Sequence, residues 1–243
     1  MLLENRIALV TGAGAGIGKA IAMGFAAQGA TVLLLGRTQE KLEKVYDAIT
    51  EAGGKATIVP LDLENGMGAI PELVKNTHAR YGKLDILVNN AGLLGTLAPM
   101  EFYKPEEWEQ VMRVNVTAPF FLTREFMPLL KLSDDASVIN VSSSVGHEGR
   151  AFWGAYAASK AALVNMTETW AQELEKSSVR MNSVNPGGTA TTMRAEAFPG
   201  EDKNTLPVPE AIFPVFLYLA STHSKDVRGQ HLKARDWMDW TSA

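Results

Sequence analysis

Thr11-Gly12-Ala13-Gly14-Ala15-Gly16-Ile17-Gly18 follows directly on an apolar run at Ile7–Val10 and leads into a helical pattern of apolar residues. Glycines let a turn close tightly, and they let backbone N–H groups approach a pyrophosphate without a clash from Cβ. The positive N-terminal end of the next helix would face the same anion. A glycine-rich stretch alone is typical of a simple loop. With a strand before it and a helix after it, the stretch predicts a dinucleotide site that uses Gly12, Gly14, Ala15, Gly16, Ile17 and Gly18.

The rest of the chain repeats this alternation of short apolar runs and longer helical patterns. Near-continuous apolar runs are typical of buried parallel strands, and repeated β-α-β units predict a parallel sheet with helices on both faces. We therefore predict an α/β fold and one domain over residues 1–243. Strands are predicted at Ile7–Val10, Thr31–Leu35, Ala56–Leu61, Leu84–Val88, Ser137–Val141 and Arg180–Val184, and helices at 17–28, 39–52, 68–81, 105–131, 155–176 and 208–221.

Composition excludes several classes of function. The 243 residues are 46% hydrophobic and 21% charged with a net charge of −4, and the Lys and Arg residues are scattered, which argues against a nucleic-acid partner. Cysteine is absent, so the chain has no disulfide and no thiolate nucleophile. The four histidines form no metal-binding pattern, and no apolar run approaches the roughly 20 residues that cross a bilayer. We expect no metal, no membrane association and a cytoplasmic location, since the N-terminus carries no secretion signal.

The end of the second strand distinguishes the two nicotinamide dinucleotides. An acidic residue there would hydrogen-bond the ribose 2′-hydroxyl of NAD(H) and repel a 2′-phosphate. The chain has Leu35-Gly36-Arg37-Thr38 at this point, so a guanidinium replaces the carboxylate. Arg37 therefore favours NADP(H) over NAD(H), although the same residue would also suit a solvent-exposed strand end.

Three polar residues predict a proton-transfer site. Tyr156 and Lys160 lie one helical turn apart in Tyr-Ala-Ala-Ser-Lys, and Ser143 lies upstream in a run of three serines. A tyrosine normally loses its proton only near pH 10, and a lysine on the same helix face favours the phenolate. The pair alone would equally suit amphipathic packing and a solvated charge.

Taken together, these motifs resemble the short-chain dehydrogenase/reductase family over nearly the whole chain. Within that family the chain is most similar to the bacterial YciK-type oxidoreductases, through the segments Asn90–Gly95, Trp153–Tyr156 and Asn185–Thr189. The matching pieces occur in order at compatible spacing: Thr11–Gly18, Asp62, Asn89-Asn90-Ala91-Gly92, Asn115, Ser143, Tyr156 with Lys160, and Pro186-Gly187 with Thr191.

The resemblance implies a role for each matching residue. Tyr156 would be the acid in reduction and the base in oxidation, and Lys160 would lower its pKa and hold the nicotinamide ribose. Ser143 would bind the substrate oxygen, and Asn115 would help to hold a water in the proton relay. Asp62 would contact adenine. The other implied cofactor-binding residues are Leu63, Asn89, Asn90, Ala91, Gly92, Pro186, Gly187, Thr189 and Thr191.

The resemblance also implies a fold, an activity and an assembly. The fold would be a three-layer, doubly wound Rossmann fold with a seven-stranded sheet in the order 3-2-1-4-5-6-7. The activity would be hydride transfer between NADP(H) and a small carbonyl or secondary-alcohol substrate, in a homodimer or homotetramer.

Two features depart from the family pattern, and two other functions stay open. Ala15 stands where many NADP-preferring relatives carry Lys or Arg. The tail Trp237-Met238-Asp239-Trp240 follows a stretch without the usual glycine pair, and we expect it to pack on a neighbouring subunit. An NADP(H)-binding sensor or scaffold with vestigial catalysis is the alternative function. An enoyl reductase is a lesser alternative, since those relatives usually separate tyrosine and lysine by six residues.

Overall fold

A seven-stranded parallel sheet forms the centre of the computed structural model, which describes residues 1–242. The strand order is β3-β2-β1-β4-β5-β6-β7, which confirms the doubly wound sheet that the resemblance implied. The strands are β1 Ile7–Thr11, β2 Thr31–Gly36, β3 Lys55–Pro60, β4 Ile86–Asn89, β5 Ala136–Val141, β6 Val179–Asn185 and β7 His231–Lys233.

Helices cover both faces of the sheet and make it the middle of three layers. Successive side chains of a strand point to opposite faces, so Ala8 and Val10 of β1 join one apolar core and Leu9 joins the other. No helix within residues 1–242 is long and apolar enough to span a bilayer. The helices are α1 Gly16–Ala27, α2 Gln39–Glu51, α3 Ile70–Tyr81, α4 Pro105–Met112, α5 Ala118–Leu130, α6 Gly154–Glu173, α7 Thr192–Ala197 and α8 Phe213–Ala220.

The order of the strands determines where a ligand can bind. β1 pairs with β2 on one side and with β4 on the other, so the connections leave β1 and β4 in opposite directions. In open parallel sheets this reversal leaves a crevice beyond the carboxyl ends of the strands. The glycine-rich turn after β1 and the loop after β4, which begins at Asn90, both reach this crevice.

The structure corrects two of the helices that the sequence predicts. The helix expected at 105–131 is interrupted by a π-helical segment, Arg113–Thr117, between α4 and α5. Such segments often occur at functional sites, and this one contains Asn115. The helix expected at 208–221 begins as a 3₁₀ turn at Pro209–Ile212 and becomes α-helical only at Phe213.

The C-terminal tryptophans pack on helix α8 of their own chain, and the expected packing on a neighbouring subunit stays a prediction. Trp237 and Trp240 both pack on Tyr218 of α8, with ring centroids 4.3 Å and 5.4 Å away. Both indoles adjoin the apolar core that α1, α2 and α8 share. The tail therefore covers part of the apolar core beside α8 of its own subunit.

Candidate active site

Glycines shape the turn between β1 and α1. Gly12 and Gly16 have φ angles of +67° and +53°, which side chains rarely adopt. A Cβ added to Gly18 would lie 2.2 Å from the carbonyl oxygen of Gly12 and 2.5 Å from Nδ2 of Asn90. Only glycine fits at this position without displacement of the backbone.

The end of β4 is tied to this turn by side-chain hydrogen bonds. The Thr11 hydroxyl accepts from the backbone N–H groups of Asn90 (2.9 Å) and Ala91 (3.0 Å) and donates to the Val88 carbonyl. The Asn90 amide donates to the Thr11 carbonyl at 2.8 Å. These bonds fix two neighbouring loops into one floor at the switch point of the sheet.

Two adjoining cavities above this floor form one elongated cleft. The first has a volume of about 320 Å³ and the second about 180 Å³, and both are lined by Gly12, Ala91 and Gly92. The cleft has the shape and glycine-lined centre that a dinucleotide needs, with its phosphates over the turn. The N-terminus of α1, at Gly16 and Ile17, faces the first cavity.

The first cavity also holds the residues predicted to transfer protons. Ser143, Tyr156 and Lys160 all line it, as does Ser142. The Lys160 ammonium is buried, donates to the Val141 carbonyl at 2.7 Å and lies 5.6 Å from the centroid of the Tyr156 ring. Three potential donors therefore converge on one space beside the glycine turn.

Ser142 contributes an unpaired hydroxyl to this space. Its oxygen is buried and has no hydrogen-bond partner within residues 1–242. Buried polar atoms in folded proteins nearly always have partners. This hydroxyl is therefore free to hydrogen-bond a polar group of a ligand in the cavity.

Burial shifts the pKa values of the two titratable groups in the cavity. Burial raises the pKa of Tyr156 to about 12, while hydrogen bonding with Ser143 acts in the opposite direction. Burial lowers the pKa of Lys160 to about 8. The resemblance implied that Lys160 lowers the pKa of Tyr156. The side chains of the protein alone do not produce this lowering, and they keep the phenol protonated at neutral pH.

Asn115 braces the cavity through its side chain. Its amide oxygen accepts from the Leu93 N–H at 2.7 Å, and its Nδ2 donates to the Leu93 carbonyl at 2.9 Å and to the Ser159 hydroxyl at 3.0 Å. Ser159 in turn donates to the Tyr156 carbonyl at 2.7 Å. The π-helical segment therefore connects the loop after β4 to the helix that carries Tyr156.

Arg37 and Asp62 lie in the second cavity, where the adenosine end of a dinucleotide would lie. Leu63 lines the same cavity. The Asp62 carboxylate accepts from the Glu64 N–H and from the Asn65 amide, both at 3.0 Å. These hydrogen bonds are the main reason that the pKa of Asp62 is lowered, and the positive charge of Arg37 adds to them.

Similarity to known proteins agrees with this geometry. The profile of the family described as short chain dehydrogenase matches residues 6–202. The chain belongs to the short-chain dehydrogenase family. It is 44% identical to the uncharacterized oxidoreductase YciK of Escherichia coli K12 over 240 residues, 96% of this chain and 93% of that protein.

Solved structures extend the similarity of this short-chain dehydrogenase to three dimensions. A protein of Pseudomonas syringae described as a short-chain dehydrogenase has a TM-score of 0.94 and 48% identity, with 96% of each chain covered. One of Escherichia coli CFT073, crystallised with NADPH, has a TM-score of 0.92 and 45% identity, with 96% of this chain and 98% of the other covered. The chain is an oxidoreductase of a family that acts on CH–OH and C=O groups.

Not every residue predicted to bind cofactor lines the cleft of this dehydrogenase. Asn89 is buried beneath the floor, where its amide donates to Asn140 (2.8 Å) and Thr123 (3.2 Å). Gly14 faces α2, and Gly18 packs behind the turn. These three residues support the cleft from below. The predicted residues that line the first cavity are Gly12, Ala15, Gly16, Ile17, Asn90, Ala91, Gly92, Pro186, Gly187, Thr189 and Thr191.

Sequence reasoning missed two cationic residues around the cleft of the dehydrogenase. Arg235 donates to the Gly188 carbonyl, and its Nε would lie 3.1 Å from a Cβ added to Gly187, so it braces the loop after β6. Lys41 of α2 packs against the turn, since a Cβ added to Gly14 would lie 3.0 Å from the Cβ of Lys41. Arg235 had no local signal. For Lys41, the only signal was its place in the first turn of the helix after Arg37.

Proposed function

We propose that this dehydrogenase transfers hydride between NADP(H) and a carbonyl compound or the corresponding secondary alcohol, with Tyr156 as the proton donor in reduction. The observation that carries the proposal is that Tyr156, Ser143 and Lys160 line the same cavity as the glycine turn at Gly12 and Gly16. A cofactor and a substrate in this cavity would meet beside the phenol.

The choice of NADP(H) rests on charge and on structural neighbours. Arg37 lines the second cavity, where it can pair with a 2′-phosphate. Two neighbours at 44% and 45% identity were crystallised with NADP and with NADPH. Both observations support NADP(H) over NAD(H).

Each polar side chain of the cavity has its own role in the reduction. Bound NADPH supplies the hydride. Tyr156 and Ser143 hydrogen-bond the carbonyl oxygen, where negative charge develops in the transition state, and Tyr156 then donates its proton to that oxygen. The positive charge of Lys160, 5.6 Å from the ring, stabilises the phenolate that remains until solvent reprotonates it. Oxidation of an alcohol would use the same groups in reverse.

A carbonyl panel tests the proposed activity. Purified protein with NADPH should consume the cofactor in the presence of at least one ketone or aldehyde, as measured by loss of NADPH absorbance. NADPH binding without consumption across a broad panel would contradict the reductase and support the sensor or scaffold.

Exchange of Arg37 for an acidic residue is expected to change the cofactor preference. Arg37→Glu removes a charge-assisted pair with the 2′-phosphate and adds repulsion, so the Kd for NADPH should rise by about 10–100-fold while that for NADH changes much less. Fluorescence titration measures both constants, with Arg80→Glu in the last turn of α3, outside the lining of both cavities, as the control. An unchanged NADPH-to-NADH ratio would remove Arg37 from the cofactor site.

The pH dependence of reduction is expected to follow Lys160. The reaction needs a protonated Tyr156 and a charged Lys160, whose pKa values are raised to about 12 and lowered to about 8. As the pH rises, Lys160 therefore loses its proton first, and kcat/KM should be flat below about pH 8 and fall above it. The residual rate of Lys160→Met should lack this fall. A wild-type profile that stays flat to pH 10 would contradict the role of the Lys160 charge.

We also propose a homodimer or homotetramer and a cytoplasmic location. The outer faces of α5 and α6 support an oligomer, because the Phe120 ring is 39% exposed and stacks on Trp170 at 5.8 Å. Light scattering should give a multiple of 26.3 kDa, and a monomer would contradict the proposal. Cell fractionation tests the location, and recovery in a membrane or secreted fraction would contradict it.

A further inference from the structure

The cavity that holds Tyr156 has an aromatic wall, formed by Trp153 and by Phe198, which packs on Trp153. Trp153 lines the cavity, and its ring centroid lies 5.8 Å from that of Tyr156 and 5.7 Å from that of Phe198. Leu94 and Met193 also line the cavity. A substrate with its carbonyl group at Tyr156 would therefore lay an apolar body against the indole of Trp153.

Two arginines flank this aromatic wall, and only one of them is paired with a carboxylate. Arg194 lies 3.8 Å from the Phe198 centroid, and Glu201 holds its guanidinium with two hydrogen bonds of 2.6 Å and 2.7 Å. Arg150 lies over both rings, 5.7 Å from Trp153 and 5.3 Å from Phe198. Within residues 1–242 no side chain pairs with the Arg150 guanidinium, so its charge is available to a ligand.

The backbone next to Arg150 is held in an unfavourable conformation. Phe152 has a φ angle of +72°, although it is not glycine, and its side chain is 58% exposed. A bulky residue in this region is a genuine outlier, and such strain in folded proteins is concentrated at functional sites. The strained turn lies between Arg150 and Trp153, and the Arg150 guanidinium lies over the Trp153 ring, which lines the cavity.

We infer that the substrate carries an anionic group, a carboxylate or a phosphate, which Arg150 binds while Tyr156 and Ser143 hold the carbonyl group. The inference rests on the proposed reductase activity and specifies its substrate class. Arg150 and Tyr156 contact the same indole, so the two functional groups of the substrate would be separated by an apolar body about as long as one ring system.

The chemistry of the guanidinium supports an anion as its ligand. A guanidinium presents planar, paired donors that match carboxylate and phosphate oxygens, and stacking on an aromatic ring fixes its plane. The neighbouring cation, Arg194, is already neutralised by Glu201. Arg150 therefore supplies the one uncompensated positive charge that the described residues place over the aromatic wall.

A matched series of ketones tests the inference. We would compare 7-oxooctanoate with its methyl ester, which differs in charge, and with an ω-phosphate ketone of the same length. Charge-assisted hydrogen bonding should give the acid a kcat/KM about tenfold above that of the ester. In Arg150→Gln the acid-to-ester ratio should fall towards one, and Arg150→Lys should restore part of it. Arg80→Gln is the control, since Arg80 also stacks on an aromatic ring, that of Tyr81, at 5.2 Å.

The outcomes separate this inference from the proposed activity. Turnover of acid and ester at equal rates by the wild type, or an unchanged acid-to-ester ratio in Arg150→Gln, would overturn the anion site and leave the reductase intact. If neither compound is reduced, the reductase proposal fails on this series. The anion site is then tested by the Kd values of the acid and the ester for the NADPH complex. Equal Kd values would overturn the anion site. A preference for the phosphate over the carboxylate would identify a phosphate as the natural group.

Discussion

Tyr156→Phe is expected to lower kcat for carbonyl reduction by about 10²–10⁴-fold, the range typical of a positioned proton donor. The substitution removes only the hydroxyl, so the ring keeps its packing against Trp153 and Lys160. Ser143 would still hydrogen-bond the carbonyl oxygen, but it would have no proton to give at a comparable rate. Steady-state kinetics on any reduced ketone measures the loss.

Two further measurements distinguish a catalytic loss from a structural one in Tyr156→Phe. The Kd for NADPH should change far less than kcat, and the thermal unfolding midpoint should stay close to that of the wild type. Phe121→Leu on α5, whose ring packs on the apolar core and does not line the cavity, serves as an aromatic control. Retention of most of the wild-type turnover by Tyr156→Phe would show that another group donates the proton.

Gly18→Ala is expected to weaken NADPH binding by about 5- to 150-fold, because forced backbone shifts of this kind cost about 1–3 kcal/mol. The added Cβ would meet the Gly12 carbonyl oxygen at 2.2 Å and the Asn90 amide at 2.5 Å. Relief of this clash must move the turn that carries the phosphate-binding N–H groups. Fluorescence titration with NADPH measures the change.

The control for Gly18→Ala is a glycine with space around it. Nothing lies within 4 Å of a Cβ added to Gly68, so Gly68→Ala should bind NADPH as the wild type does. Circular dichroism should show that both variants keep their helix and strand content. If Gly18→Ala bound NADPH as tightly as the wild type, the turn at Gly12–Gly18 could not be the phosphate site.

Features encoded in local sequence could be predicted, and those that depend on distant contacts could not. The turn at Gly12–Gly18 was evident because strand, glycines and helix are consecutive. The seventh strand, His231–Lys233, was not located because three residues carry no alternation, and its position is set by pairing with β6. The π-helical segment around Asn115 is likewise stabilised by Leu93 and Ser159, which lie far away in the sequence.

The site shows the same division between local and distant information. The spacing of Tyr156 and Lys160 on one helix face predicted that they would share a cavity, and they do. Polarity alone did not show that Asn89 is buried or that Trp237 packs on Tyr218 of its own chain. Arg150 has no signal in the sequence, because its proposed role depends on a strained turn at Phe152 and on contacts with the rings of Trp153 and Phe198.

The most direct test of the proposed hydride transfer is to follow the hydrogen itself. The protein would be incubated with a reducible ketone and NADPH that carries deuterium at both C4 positions, and the product alcohol would be analysed by mass spectrometry. One deuterium on the carbinol carbon of each product molecule, with product formation reduced in Tyr156→Phe, is the expected result. Product that forms without deuterium, or at the same rate in Tyr156→Phe, would contradict the proposed mechanism.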